Sequence, residues 1–256
     1  MVKILRKTLK VVSSLVLVMS IGILVKILVI DSYISQKAAS EIQELYHHQQ
    51  DSENNNDSEK AEEDSKFSEL SKINSEICGW ITVPGTRIDY PVLQGNKNET
   101  HFYLDHNYKR EKSKYGSIFL DPICQLSENP KNCVIYGHHM NDGSMFAGLM
   151  KFKDKSFWEK HKTISFDTLT DRQTYEVIAV FKTVVYTDSP ESFKYYQFVN
   201  AETAEDFTAY VEKCKELSLY DTGVTAEYGD KLLTLSTCEY SRTNGRLVVV
   251  AKLINE

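Results

Sequence analysis

The chain has 256 residues, 41% of them hydrophobic and 26% charged, with 11 Gly and 5 Pro. It can therefore bury a core, and it is neither collagen-like nor a Pro-rich low-complexity polymer. Thirty-six acidic against 30 basic residues give a formal net charge of −6, which argues against a binder that works by neutralising nucleic-acid phosphates.

Residues 1–10 carry Lys3, Arg6, Lys7 and Lys10 and read as a basic cytoplasmic tail. Residues 11–30 follow, with 15 large apolar side chains in 20 positions and no Pro. As a helix this run spans about 30 Å, the thickness of a bilayer core. Lys26 stands near its outer end, where its stem can snorkel to the headgroups. A cleaved signal peptide is the alternative, but its apolar stretch is usually shorter, and no small-x-small site follows directly. The expectation is a single-pass anchor with the N-terminus in the cytoplasm and the bulk of the chain outside the cell.

Residues 31–66 read as an extracellular spacer. A helix through Ala38–Tyr46 would lead off the membrane. The acidic run 51–66 holds seven acidic and two basic residues and no aromatic, too little apolar surface to offset chain entropy.

Residues 67–256 form the working domain. Strand character recurs at 79–83, 87–93, 116–120, 133–136, 163–166, 175–185, 232–237 and 247–253, each rich in β-branched or aromatic residues and bounded by turn signals. Pro91 marks an edge or a bulge. Helical signals are fewer: a loose stripe over 144–160, and a helix over 201–217 with Asn200 as its N-cap. The fold class is mostly β, and closely spaced strands predict a closed or nearly closed barrel with helices inserted.

There are five cysteines, Cys78, Cys124, Cys133, Cys214 and Cys238, and no C-x-x-C pair. Cys133 and Cys214 read as small core hydrophobes. The sequence leaves open whether Cys124 and Cys133 pair. Cys238 differs, because it closes the strand LLTLSTC and so emerges at a strand end. Arg246 heads the next strand eight residues on, and in a hairpin the two side chains would meet. A thiol needs a nearby base or cation to act as a nucleophile, and a guanidinium binds a developing oxyanion. His138 and His139 also emerge at a strand end, after CVIYG. His47, His48 and His161 read as solvent-facing, and His101 and His106 as surface loop residues. No ligand cluster stands at metal spacing, so neither metal nor cofactor is expected.

Three motifs, TLSTC at 234–238, YGHHM at 136–140 and GRLVVVAKL at 245–253, together resemble the sortases, class B in particular. The resemblance extends through GWITVPGTRIDYPVLQG at 79–95, YGSIFLD at 115–121 and MFAGLMKFKDKSFWEKH at 145–161, nearly all of residues 67–256. The segment 186–223 matches the helix-bearing insertion of class B. The resemblance implies an eight-stranded sortase barrel with added N-terminal and inserted helices. It implies a membrane-anchored cysteine transpeptidase of the Gram-positive surface, of the EC 3.4.22 thiol-protease type. Such an enzyme cuts a C-terminal sorting signal, N-P-x-T-x in type, after Thr, and joins the protein through a thioacyl intermediate to a peptidoglycan amine. The matching positions are Cys238 as nucleophile, His138 as general acid–base and Arg246 as oxyanion stabiliser. Tyr136, Ser236 and Glu239 fall within the motifs and should line the substrate groove, with Leu104 and Tyr196 as further groove positions. His139 and Arg242 are the neighbouring ambiguities, and the G-H match and the strand-head position favour His138 and Arg246. Sorting-signal proteins, a peptidoglycan amine and the membrane are the implied partners, with no nucleic acid.

Two other classes compete. A secreted, membrane-tethered cysteine peptidase of papain type would place its Cys before a helix with His downstream. A non-catalytic surface binding module would not need Cys238, His138 and Arg246 together.

Overall fold

The computed structural model describes residues 2–51, 67–185 and 192–255. Most of the acidic run at 51–66 and the first six residues of the 186–223 insertion lie outside them. The chain divides into two units, residues 1–41 and 42–256.

The first unit is helical. Helix α1, Val2–Val25, passes through one π-helical turn, Lys26–Ile30, into α2, Asp31–Asp51. The stretch Arg6–Val25 is long and apolar enough to cross a membrane, and its side chains are unburied. It is a candidate membrane span.

The second unit is built on eight strands: β1 Ile77–Thr82, β2 Asp89–Leu93, β3 Ile118–Leu120, β4 Asn132–Tyr136, β5 Thr163–Thr168, β6 Arg172–Val184, β7 Leu232–Cys238 and β8 Gly245–Asn255. They close into a barrel in the order β1-β2-β3-β4-β7-β8-β6-β5, so the expected closed barrel is what the chain forms. Each β-rich run of the sequence is one of these strands, within a few residues at its ends. Pro91 pairs with Trp80 of β1, while β3 pairs with β2 only from Val92 onward. Its missing N–H thus falls where β2 has a partner on one side.

Two neighbouring pairs are parallel, β2 with β3 and β4 with β7. Parallel neighbours require long crossovers. The β2–β3 crossover carries a short 3-10 turn, Phe102–Leu104, and the β6–β7 crossover carries helix α5, Ala204–Leu217. A short helix α3 covers residues 67–73. The loose helical stripe resolves into two pieces, a 3-10 stretch Phe146–Lys153 and helix α4 Lys155–Lys160. The N-cap of α5 is Thr203, whose hydroxyl accepts from the Asp206 N–H at 3.1 Å. Asn200, the expected cap, instead accepts from the Lys131 N–H at 3.0 Å, which ties the crossover to the head of β4. The five cysteines are free thiols, with Cys124 and Cys133 unbridged.

The spacer reading meets one correction. The end of α2 packs on the barrel: Ile42 and Tyr46 are only 2% and 4% exposed. The Tyr46 ring stacks on Trp80 at 4.1 Å and 5°, and its hydroxyl donates to Asp167 at 2.6 Å. Gln43 donates to the Asp89 carbonyl at 2.7 Å. His47, expected in solvent, is half-buried with Nε2 2.8 Å from the Asp89 carboxylate. A protein beginning at residue 67 should therefore be less stable than one beginning at residue 31 by about 4 kcal/mol, from two large side chains at about 2 kcal/mol each. Urea denaturation of the two proteins measures this, and equal midpoints with equal slopes would contradict the docking.

Candidate active site

Three adjacent strands, β4, β7 and β8, build the site in successive rungs. Val134 pairs with Thr234 and Thr234 with Val250; two residues on, Tyr136 pairs with Ser236 and Ser236 with Val248. Because side chains alternate along a strand, both rungs present one face, while Leu235, Leu247 and Val249 present the other. On this face Val134, Val248 and Val250 pack with Phe207, Tyr210 and Val211 of α5. Beyond these two rungs Cys238 is paired directly to Arg246. The β4–β7 register is recorded as far as Tyr136 beside Ser236, and continued by two residues it would set His138 beside Cys238 as a third rung. Gly137 N–H donates to the Ser236 carbonyl at 3.3 Å, and the Thr237 hydroxyl to the Gly137 carbonyl at 2.8 Å, so the two strand ends are still tied at Gly137. Apart from the half-buried Tyr136 the first two rungs are roofed, whereas His138, Cys238 and Arg246 emerge and are all partly exposed.

Glycines permit this crowding at two points. A Cβ on Gly137 would stand 2.4 Å from Ile118 Cδ1 and 2.7 Å from the Phe146 ring. A Cβ on Gly245 would stand 2.3 Å from the Glu239 carbonyl oxygen, in the β7–β8 loop that the Glu239 N–H closes by donating to the Gly245 carbonyl at 2.9 Å. Neither position has room for a side chain.

His138 Nε2 lies 2.6 Å from the Leu104 carbonyl oxygen. A carbonyl only accepts, so Nε2 carries the proton and Nδ1 is the basic nitrogen of the neutral ring. The His138 carbonyl accepts from the Phe146 N–H at 2.9 Å, which holds the backbone behind the imidazole. Arg246 Nη1 donates to the Gly245 carbonyl at 2.9 Å, so part of the guanidinium fork is fixed against its own strand.

The other expected groove residues divide. Tyr136 is half-buried beside the site, its hydroxyl donating to Asp121 at 2.7 Å. Leu104 is 36% exposed and borders an open concavity of about 560 Å³ formed by residues 98–102, 104 and 105; its carbonyl is the part that reaches His138. Tyr196 is half-buried, edge-on to Tyr195 at 5.5 Å. Ser236 does not line a groove: it is 1% exposed and its hydroxyl bonds the Tyr195 hydroxyl at 2.6 Å, beneath the α5 roof. Glu239 is 4% exposed and bonded to Ser241, with Lys153 at 3.2 Å and Lys182 at 3.9 Å, so it anchors the β7–β8 loop from below. Burial alone would raise its pKa; the Ser241 hydrogen bonds and the two lysines outweigh this and lower it. The carboxylate is thus favoured in its charged form by its partners.

Sequence reasoning missed Tyr195 and Asp121, partners of Ser236 and Tyr136 that lie 41 and 15 residues away. It also set His139 aside. His139 Nδ1 lies 3.1 Å from the Cys238 carbonyl oxygen, and the exposed Tyr240 stacks on its ring. Partial desolvation, and then the neighbouring Cys238, raise the Tyr240 phenol pKa, with Arg246 acting in the opposite sense. Among the described residues no group of three His, Cys, Asp or Glu side chains is arranged to hold a metal ion.

The sortase domain family model matches residues 81–254, which includes all three residues of the emergent rung. Sortase B of Listeria monocytogenes is 40% identical over 193 residues, 75% of each chain. The Staphylococcus aureus sortase B–substrate complex superposes with a TM-score of 0.76 at 32% identity, covering 88% of this chain and 99% of that one. A structure of sortase B complexed with triglycine gives 0.76 at 33% identity, with coverage of 88% and 99%. With the barrel, the helix-bearing crossover and these matches in agreement, the chain belongs to the sortase family, class B, the cysteine transpeptidases of cell-wall anchoring.

Proposed function

We propose that the chain is a membrane-anchored transpeptidase that cleaves an N-P-x-T-x-type C-terminal sorting signal after Thr and transfers the protein to a peptidoglycan amine. The emergent rung carries the reading: Cys238 flanked by His138 on β4 and Arg246 on β8. Cys238 Sγ attacks the Thr carbonyl carbon, and the carbonyl oxygen takes negative charge that the Arg246 guanidinium stabilises. His138, as imidazolium, gives a proton from Nδ1 to the departing amine as the peptide C–N bond breaks. A thioester on Cys238 remains. The incoming amine attacks it, His138 as imidazole removes the amine's proton, and the Cys238 thiolate is released as the new amide forms, which restores the imidazolium and the nucleophile. The Leu104 carbonyl, holding Nε2–H, keeps Nδ1 in the working role.

An amine acceptor is supported by the related sortase B bound to triglycine, and a peptide donor by the S. aureus substrate complex. The full chain in detergent, incubated with an N-P-x-T-x peptide pool, should release the fragment ending in Thr and, when triglycine is added, convert most of it to the triglycine amide. Free acid as the sole product at every triglycine concentration would favour the rival reading, a tethered thiol peptidase of EC 3.4.22 type that hydrolyses.

The N-terminal apolar helix supports a membrane location. Lys3, Arg6, Lys7 and Lys10 precede its apolar run at 11–30, the charge pattern of a cytoplasmic N-terminus with residues 31–256 outside. Protease added to intact cells should digest residues 67–256; full protection, with digestion only after lysis, would reverse the topology.

A further inference from the structure

The β4–β7 ladder ends just before the reacting groups. Its last backbone bond, from Gly137 N–H to the Ser236 carbonyl, is already long at 3.3 Å. Beyond it the two strand ends must stay side by side, or the imidazole and the thiol lose register. Side chains take over that task. His139 Nδ1 is 3.1 Å from the Cys238 carbonyl oxygen, and the Tyr240 hydroxyl donates to the His139 carbonyl at 3.1 Å. The two rings stack at 5.1 Å and 24°. Each strand end thus binds the carbonyl of the other: the residue after His138 grips Cys238, and the second residue after Cys238 grips back. His139 also makes a bridge to Met145, whose backbone sits at φ +53°, a costly value for a side chain with a Cβ. A segment held in that conformation is over-determined by its neighbours.

We propose that His139 is a positioning residue for the transpeptidation, and that with Tyr240 it forms a clasp fixing the distance between His138 and Cys238. The proposal rests on the reading of those two as the catalytic pair. The carbonyl only accepts, so the bond needs the proton on Nδ1. Its loss should slow the chemical step with little effect on peptide binding, because the geometry that changes is that of the reacting groups.

The test uses the full chain in detergent, with steady-state cleavage of a fluorogenic N-P-x-T-x peptide pool from pH 5.5 to 8.5. His139→Ala should lower kcat about tenfold, as for a lost hydrogen bond and ring contact together, with KM within about twofold of wild type. His139→Asn places an amide N–H where Nδ1–H stood but cannot titrate. It should recover kcat to within about threefold, with the wild-type pH profile. Tyr240→Phe keeps the stacked ring and loses the hydroxyl, and should lower kcat about threefold; added to His139→Ala it should cost little more, since the two residues act as one unit. Wild-type kcat in His139→Ala, a loss confined to KM, or an Asn variant as impaired as the Ala variant would each overturn the clasp. If His139→Ala does not fold, a wild-type kcat in Tyr240→Phe overturns it alone. Activity surviving in Cys238→Ala would instead overturn the functional reading on which it rests.

Discussion

Cys238→Ala is expected to reduce cleavage of a sorting peptide to background, a loss of about 10⁴-fold or more, as for removal of a covalent nucleophile. No other thiol can substitute. Cys78, Cys124, Cys133 and Cys214 are all buried. Burial pushes the Cys214 thiol up to about 12 and raises that of Cys78 as well, so neither supplies a thiolate near neutral pH. Cys238 stands partly exposed on the last rung of the strand trio, and its substitution removes no buried packing. Circular dichroism and the urea midpoint should match wild type. Fluorogenic cleavage by the folded variant is the measurement, and turnover above background would remove Cys238 from the mechanism.

The second large effect concerns the two flanks. His138→Ala should lower kcat about 10²–10⁴-fold, the usual range for a general acid–base. His138→Gln keeps a donor for the Leu104 carbonyl but cannot carry a proton at these pH values, so it should remain as impaired as alanine. Arg246→Lys retains a charge but not the planar fork, part of which is committed to the Gly245 carbonyl, and should be strongly impaired. Arg242→Ala, on the exposed loop, should retain most activity. These kinetics place the roles: a dead Arg242→Ala beside a near-wild-type Arg246→Ala would exchange the arginines, and a near-wild-type His138→Gln would deny His138 its proton transfer.

The barrel strands were legible because each is a short β-branched run bounded by turn residues, and that local signal survives in the folded chain. The emergent rung was legible in part. A strand ending in Cys and the next beginning with Arg predicted a hairpin pair, and Cys238 does pair with Arg246; the place of His138 was read only from its position after a strand end. What escaped was tertiary. Ser236 lies in the same motif as Cys238 and on the same face, yet Tyr195 from the distant crossover covers it. Glu239 is drawn under the loop by Lys153 and Lys182, which lie far off in sequence. Leu104 attracted notice for its side chain, whereas its backbone carbonyl bonds the imidazole. Composition made residues 31–66 a spacer, since the end of α2 is anchored by a few side chains, Ile42, Gln43, Tyr46 and His47, and the partners of the last three, Trp80, Asp89 and Asp167, lie far off in sequence. Thr203 displaced Asn200 as the cap of α5 because Asn200 was claimed by Lys131.

In the proposed reaction the peptide passes through a thioester on Cys238 before an amine receives it. Intact-mass spectrometry of the full chain mixed with an N-P-x-T-x peptide and quenched in acid within the first turnovers tests it directly. The expected spectrum holds a protein species heavier by the fragment ending in Thr, mapped by digestion to the Cys238 peptide, absent from Cys238→Ala and discharged on adding triglycine. Product formation at the wild-type rate with no such adduct at any quench time, or an adduct that triglycine does not discharge, would contradict it.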